Sequence, residues 1–185
     1  MRVVERPAAG EPAGAIVFLH GYWGVPEEFA AFLDKLDPGR RLHGFLPQAP
    51  THVGEGRYSW DGSGAELEEW FDALPLPPGR IVAGGWSQGT RRAYRLALAA
   101  GRPRPAGLLA LGGSLDDDVE LERPLPPVLI AHGTNDEPVP VAHARAARAR
   151  LVEAGADVRY FETAIDHRID PEVVPELRRF VAEVL

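Results

Sequence analysis

The chain has 185 residues, of which 45% are hydrophobic and 25% are charged, and its formal net charge at pH 7 is -7. A chain of this length fits one folded domain that buries about 70% of the surface of its unfolded form. The acidic balance, without any basic run, argues against nucleic acid and anionic membranes as partners. Since no cysteine is present, disulfides, thiolate metal sites and a cysteine nucleophile are excluded. We therefore expect a single domain over residues 1–185.

The first residues, Met1 to Pro7, lack the apolar core of a signal peptide. No apolar stretch approaches the roughly 18 residues that a membrane span needs. These features predict a cytoplasmic protein. The histidines and carboxylates show no metal-ligand spacing, so we expect neither a metal nor another cofactor. Whether the chain forms a homodimer stays open at this point.

Strand-like and helix-like segments alternate along the chain, which is typical of a mostly parallel sheet with helices on both faces. Continuous apolar runs and weaker strand patterns predict six strands, at residues 15–19, 41–46, 80–84, 106–111, 127–131 and 157–162. Helical spacing predicts five helices, which begin near Pro26, Ser63, Ser87, Pro140, and Pro171 or Pro175. The fold class is therefore α/β, with about six strands in the sheet.

The connection after the fourth predicted strand is short, because it runs only from Gly112 to Pro126. A large covering insertion after this strand would need many more residues than this segment has. We therefore expect no large cap domain and an open or shallowly covered pocket.

The most informative motif is Gly85-Trp86-Ser87-Gln88-Gly89, which lies between a predicted strand and a predicted helix. Gly-x-Ser-x-Gly in this position is the nucleophile elbow, a tight turn that requires glycine two residues on either side of the serine. The turn lifts the hydroxyl clear of the sheet and seats it at a helix N-terminus, where N–H groups can stabilise negative charge. Ser87 is therefore the candidate nucleophile.

A serine nucleophile needs an imidazole that takes its proton and a carboxylate that orients the imidazole. In elbow-type hydrolases these partners follow in the order Ser, Asp or Glu, His, which leaves His143 and His167 as candidate bases. His143 falls inside a predicted helix. His167 lies in a loop between the last strand and the last helix, at the same sheet edge as the elbow. We favour His167 and keep His143 as the alternative.

The candidate acid is Asp136, which follows the strand-like segment Leu129-Ile-Ala-His-Gly133 at the same sheet edge. The competing candidates are Asp116, Asp117 and Asp118, one strand earlier, but a run of three carboxylates is more typical of a solvated loop. For the oxyanion hole, the elbow supplies the N–H of Gln88. The glycine-containing loop after the first strand supplies a second donor, for which we predict Tyr22.

We predict four substrate-binding residues, which are Trp23, Tyr58, Trp60 and Leu115. For the three aromatic residues, packing within their own loops is an equal alternative. His20 and His132 both precede a glycine at the end of a strand, and we expect them to be hydrogen-bonding structural residues. We expect a solvated helix face formed by Arg91, Arg92 and Arg95. We expect surface or loop positions for His43, His52 and His143.

Taken together, these segments resemble the phospholipase/carboxylesterase family of small α/β-hydrolases, a branch with little or no cap. The resemblance runs in order over residues 15–185, through Leu19-His-Gly21, Ala49-Pro50, Tyr58-Ser-Trp-Asp61, the elbow, His132-Gly-Thr-Asn-Asp-Glu-Pro-Val139 and Asp166-His167. It implies Ser87 as nucleophile, Asp136 as acid and His167 as base, with Tyr22 and Gln88 as oxyanion donors.

The chain departs from the family pattern at two informative places. Thr90 follows the elbow where the family usually has glycine or alanine, and the segment from Gly112 to Asp118 is acidic where the family tends to be hydrophobic. The acidic segment argues against long-chain and anionic lipid substrates. We therefore expect a serine hydrolase that cleaves small carboxylic esters. The alternatives are thioester, amide or lactone cleavage or acyl transfer by the same triad, and a non-catalytic binding protein.

Overall fold

A computed structural model describes residues 1–185 of the chain. Its strands are β1 (Val3–Arg6), β2 (Gly14–Leu19), β3 (Leu42–Pro47), β4 (Thr51–His52), β5 (Tyr58–Ser59), β6 (Ile81–Trp86), β7 (Gly107–Leu111), β8 (Val128–Gly133) and β9 (Val158–Thr163). Its helices are α1 (Ala30–Leu36), α2 (Ala65–Asp72), α3 (Gln88–Leu98), α4 (Ala142–Glu153) and α5 (Val174–Val184). None of the helices combines the length and the hydropathy needed to span a bilayer.

Seven strands form one sheet in the order β1-β3-β2-β6-β7-β8-β9, and only β1 is antiparallel to its neighbour. The six predicted strands are confirmed as the parallel part of this sheet. The sequence missed β1 and the short hairpin of β4 and β5. The four residues of β1 show no continuous apolar run, and the strand forms through its pairing with β3, which is a tertiary contact.

The helices cover both faces of the sheet. Side chains of α1 and α5 pack on one face, and side chains of α2, α3 and α4 pack on the other. All six residues of β2 are buried, as expected of a strand covered on both sides. Its successive residues alternate between the two cores, so that Val17 faces α3 and Phe18 faces α1. The predicted α/β architecture is confirmed.

The region between β7 and β8 contains no helix and no further strand of the main sheet. Residues 112–127 instead form an irregular segment, which makes a single β-bridge between Leu121 and Ala99. The expectation that no large cap domain covers this end of the sheet is therefore confirmed.

The turn between β6 and α3 depends on two glycines. A Cβ atom on Gly89 would lie 2.2 Å from the carbonyl oxygen of Leu19, and one on Gly85 would lie 2.4 Å from the carbonyl carbon of Gly89. Backbone atoms cannot move aside as a flexible side chain can, so only glycine fits at either position. Ser87 between them has φ 56° and ψ -121°, a conformation that costs on the order of 1–3 kcal/mol in a residue with a side chain.

Thr90 joins three elements behind this turn. Its side chain is fully buried, and its Oγ1 lies 2.8 Å from the carbonyl oxygen of Gly85 and 2.7 Å from that of Leu111. The same oxygen accepts a hydrogen bond from the N–H of Leu111 at 3.2 Å. Thr90 therefore links α3 to both β6 and β7 at the elbow, a link that glycine or alanine could not make.

Replacing Gly89 by alanine is expected to lower the free energy of unfolding by more than about 2 kcal/mol, because the new Cβ would overlap backbone atoms that cannot relax. Urea denaturation measures this change. Gly79→Ala is the matched control, since a Cβ there meets no atom within 4 Å. Equal losses in the two variants would contradict the close approach described here.

Thr90→Val keeps the volume of the side chain but removes its hydroxyl. We expect it to lower the free energy of unfolding by about 1–3 kcal/mol, because the N–H of Leu111 loses a buried acceptor. Thr90→Ser keeps the hydroxyl and is expected to lose less. Thermal and urea unfolding of the three proteins checks the ranking, and a valine variant as stable as the parent would refute the role of the hydroxyl.

Candidate active site

The predicted site residues follow three different strands of the sheet. Ser87 follows β6, Asp136 lies three residues after β8, and His167 lies four residues after β9. These strands are parallel, and only β7 lies between β6 and β8, with β9 next to β8. Their carboxyl ends therefore share one edge of the sheet. The three loops therefore reach the same edge, where α/β folds place their ligands.

A chain of hydrogen bonds connects the three side chains. The Nε2 atom of His167 lies 2.9 Å from the Oγ of Ser87, and its Nδ1 lies 2.7 Å from Oδ2 of Asp136. A carboxylate can only accept, so Nδ1 carries the proton and Nε2 is left to accept the hydroxyl proton. The hydrogen bonds join residues 80 and 31 positions apart in the sequence. The geometry is the one that general-base activation of a serine needs.

Two of the three competing aspartates pair with arginines, and none of the three is hydrogen-bonded to His167. Asp116 lies 2.8 Å from Nε of Arg91, and Asp118 lies 2.5 Å from a guanidinium nitrogen of Arg95. Neither carboxylate contacts His167. The structure therefore brings Asp136, and not the run of three aspartates, to the imidazole.

Asp136 is held from several sides. Its side chain is only 1% exposed, and burial of a carboxylate is costly unless hydrogen-bond donors surround it. Its Oδ1 accepts from the N–H of Val139 at 2.8 Å. The Nε2 of His132 lies 3.3 Å from Oδ2 and donates to the carbonyl oxygen of Val139 at 2.7 Å. His132 is thus hydrogen-bonded beside the acid, which fits the structural role predicted for it.

Backbone contacts fix the two loops that carry the acid and the base. The N–H of Thr134 donates to Thr163 at 2.8 Å, and the N–H of Asn135 donates to Ile165 at 3.0 Å. On the other side of the imidazole, the indole ring of Trp86 packs with its centroid 4.8 Å from that of His167. The position of the imidazole is therefore set by the main chain and by the elbow itself.

The backbone segments that carry the two predicted oxyanion donors lie beside Ser87. Gln88 is the first residue of α3, and the first N–H groups of a helix have no acceptor within that helix. The N–H of Tyr22 has no hydrogen-bond partner in the protein. A Cβ on Gly21 would lie 3.3 Å from the Cβ of Ser87, so the backbone of the Tyr22 loop passes next to the nucleophile candidate.

His20 fixes the loop that contains Tyr22. Its Nδ1 donates to the carbonyl oxygen of Gly21 at 2.8 Å, and its Nε2 accepts from the N–H of Ala49 at 3.1 Å. This pair of bonds requires a neutral ring, and burial lowers the pKa of His20 so that the neutral form is favoured. His20 is therefore a structural residue of the site, as its sequence context predicts.

The side chain of Gln88 has a role that sequence reasoning did not find. Its Oε1 accepts from the N–H of Trp60 at 2.9 Å, and its Nε2 donates to Ser59 at 3.2 Å and to Asp61 at 3.3 Å. The first residue of α3 thereby anchors the long loop that carries the hairpin of β4 and β5. The only signal in the sequence is the proximity of Gln88 to the elbow.

A cavity of about 260 Å³ lies at Ser87. Its lining is mostly polar and comprises Ser87, Gln88, Arg91, Gly113, Ser114, Pro138, Val139 and His143. None of the four predicted substrate-binding residues is in this set. The cavity at Ser87 is therefore lined mostly by polar residues, and the four predicted substrate-binding residues lie outside it.

The four residues have other surroundings. Trp60 and Leu115 are buried in the core at 2% and 9% exposure, and the indole N–H of Trp60 donates to the carbonyl oxygen of His20 at 2.7 Å. Tyr58 is half-buried and packs edge-on against His52. Trp23 is exposed and lies under a guanidinium group, with Arg57 4.7 Å from its ring centroid. Packing within loops, the alternative weighed for the aromatic residues, describes these contacts.

Two residues of the cavity were expected at solvated positions. Arg91 lies four residues after Ser87, so one helical turn places it on the same side of α3. That spacing could have identified it from the sequence. His143 lies on α4 and reaches the same cavity without a hydrogen bond to Ser87 or Asp136. The order of the triad residues kept His143 as the alternative base, but its place in this cavity depends on how α4 packs on the sheet.

Comparison with known proteins agrees with this architecture. The model of the Phospholipase/Carboxylesterase family matches residues 64–185, more than half of the chain. Among solved structures, esterase PE8 has a TM-score of 0.83 at 26% identity, with 98% of each chain covered. A carboxylesterase from Bacillus cereus has a TM-score of 0.83 at 18% identity, with 100% of this chain and 95% of that chain covered.

A third structure, acyl-protein thioesterase 2 from Zea mays, has a TM-score of 0.76 at 19% identity, with 99% of this chain and 98% of that chain covered. At the identities of the maize and Bacillus proteins, the likeness shows the fold alone. No curated protein matches the sequence. From the family match and the shared fold, the chain belongs to the phospholipase/carboxylesterase family of hydrolases, which has the α/β-hydrolase fold.

Proposed function

We propose that the protein is a serine hydrolase that cleaves small carboxylic esters through an acyl-Ser87 intermediate. The observation that carries this proposal is the hydrogen-bonded chain from Ser87 through His167 to Asp136, with distances of 2.9 and 2.7 Å. The small, polar and uncapped cavity at Ser87 supports a small substrate.

In the first half of the reaction, the Oγ of Ser87 attacks the ester carbonyl carbon while Nε2 of His167 takes the hydroxyl proton. The carbonyl π electrons move to oxygen, and the N–H groups of Tyr22 and Gln88 stabilise that oxyanion. Asp136 stabilises the imidazolium that forms. When the oxyanion collapses, the bond to the alcohol breaks and His167 gives its proton to the departing alcohol oxygen.

In the second half, a water molecule attacks the acyl carbon of the acyl-enzyme. His167 takes a proton from that water, and the same two N–H groups stabilise the second oxyanion. Collapse breaks the bond to Ser87, whose oxygen receives the proton back from His167. The products are the carboxylic acid and the free enzyme.

Thioester hydrolysis is the second candidate, because the fold is shared with a structure named acyl-protein thioesterase. The same nucleophile and base serve both reactions, so the side chains at Ser87 do not separate them. Initial rates on an oxygen ester and a thioester with the same acyl group distinguish the two. Higher kcat/KM on the oxygen ester supports the proposed reaction, and a strong preference for the thioester would replace it.

Ser87→Ala is expected to lower hydrolysis of p-nitrophenyl acetate by roughly a thousandfold or more and to abolish labelling by a fluorophosphonate, because both reactions need the hydroxyl. Circular dichroism checks that the variant is folded. Ser63→Ala is the control, since its hydroxyl accepts a hydrogen bond from Ala65 and does not contact His167. Absence of labelling in the parent protein would instead favour a non-catalytic binding protein.

His167→Ala is expected to lower kcat several hundredfold or more, since no other imidazole is hydrogen-bonded to Ser87. His143→Ala is expected to have a much smaller effect on kcat, and His52→Ala, at an exposed position on β4, serves as control. Steady-state kinetics on the same ester gives the ranking. A larger loss for the His143 variant than for the His167 variant would reverse the assignment of the base.

A further inference from the structure

The cavity at Ser87 differs in charge from the protein as a whole. The chain has a formal net charge of -7, yet none of the residues that line this cavity carries a carboxylate. The charged or protonatable side chains among them are Arg91 and His143, together with the hydrogen-bonding side chains of Ser114 and Gln88. An anionic group would therefore meet donors in this cavity and acceptors over much of the remaining surface.

Arg91 has hydrogen-bonding capacity left for a ligand. Its Nε donates to Oδ1 of Asp116 at 2.8 Å, and its two terminal nitrogens have no partner in the protein. The ion pair orients the guanidinium group without using the edge that carries those nitrogens. Half of the side chain is exposed, so a carboxylate can reach it from the cavity. A guanidinium group forms short, charge-assisted hydrogen bonds with such a ligand.

The acidic segment from Gly112 to Asp118 leaves the terminal nitrogens of Arg91 free, because Asp116 accepts from its Nε only. Asp116 lies 2.8 Å from Arg91 and 3.4 Å from Arg95, while Asp118 lies 2.5 Å from Arg95. Two arginines thus face these two aspartates, and neither aspartate lines the cavity at Ser87. From the sequence, this segment argues against long-chain and anionic lipid substrates, but Asp116 and Asp118 are paired with arginines of α3.

The adjoining cavity is different and does not share this property. It has a volume of about 410 Å³ and also contacts Gln88 and Arg91, but Asp61, Asp116 and Asp118 are among its lining residues. Its remaining arginines are occupied, since Arg92 donates to the carbonyl oxygens of Trp60 and Gly62. Arg91 borders both cavities, and the carboxylates near it line the adjoining cavity and not the cavity at Ser87.

Resting on the proposed function, we infer that the preferred substrates are esters whose acyl group carries a second, negatively charged carboxylate. Arg91 of α3 binds this carboxylate, and His143 of α4 contributes from the other side of the cavity. Arg91 is one helical turn from Ser87, about 5–6 Å along α3, so its ligand lies a few carbon atoms from the scissile carbonyl. Monoesters of short dicarboxylic acids fit this spacing. Arg91 and His143 are then specificity-determining residues of the site.

The test compares monomethyl glutarate with methyl 4-carbamoylbutanoate, which replaces the free carboxylate by a neutral amide of the same size. Methanol release gives kcat/KM for each ester. We expect the parent protein to favour the anionic ester by about tenfold or more, since a charge-assisted bond replaces a neutral one. Arg91→Gln is expected to lower the ratio of the two kcat/KM values by about tenfold, and His143→Gln by a smaller factor.

Arg95→Gln is the matched control. Arg95 lies one turn further along α3 and pairs with the same Asp116, but it does not line the cavity at Ser87, so the ratio should stay unchanged. An equal fall in the Arg95 variant would mean that the segment at Asp116, and not the Arg91 donor, sets the preference, and would overturn the inference. Circular dichroism checks that all three variants are folded.

The outcomes separate this inference from the proposed function. Hydrolysis of both esters at similar kcat/KM, with no change of the ratio in Arg91→Gln, overturns the anion preference and leaves the esterase proposal standing. If neither ester is hydrolysed, calorimetric titration with glutarate decides. Binding to the parent protein that is lost in Arg91→Gln supports the anion site without esterase activity, and equal binding or none overturns it.

Discussion

The site depends on the close backbone approach between the end of β2, the end of β6 and the start of α3. Gly89 lies so near the carbonyl oxygen of Leu19 that no side chain fits between them, and Gly85 has the same relation to Gly89. The strand, the turn and the helix therefore pack without intervening side chains. Ser87 takes up the resulting strain in its backbone, with φ 56°, and the adjacent Thr90 hydroxyl ties the turn to β7.

This geometry makes the start of α3 the organising centre of the region. The helix holds Ser87 at its beginning, Gln88 clamps the long loop through Trp60, and Arg91 lies one turn further on. From the other side, the loops after β8 and β9 bring Asp136 and His167 to the hydroxyl, and backbone hydrogen bonds between these loops fix their distance. The reacting groups proposed here are thus positioned before a substrate binds, which is how such sites stabilise charge with little reorganisation.

Electrostatics divides the surroundings of Ser87 into two parts. Asp136 is buried and accepts hydrogen bonds from the N–H of Val139 and from Nδ1 of His167, so its charge acts on the imidazole and is shielded from solvent. The aspartates near Arg91 and Arg95 are paired on the outer side of α3. The cavity between these parts carries no carboxylate. An acidic protein can therefore offer free hydrogen-bond donors at this cavity, because the terminal nitrogens of Arg91 have no partner in the protein.

The sequence by itself determined the six parallel strands, the five helices and the order in which Ser87, Asp136 and His167 reach one edge. It could do so because buried strands have continuous apolar runs, and because the tight turn of the elbow requires glycine at two local positions. Only the tertiary structure decided the rest. The edge strand β1 exists through pairing with β3, Trp60 is buried and lies outside the cavity at Ser87, and His143 meets Ser87 across a cavity between α4 and α3. These features depend on packing between segments that are far apart in the sequence. No local pattern of residues specifies how close such segments come to each other.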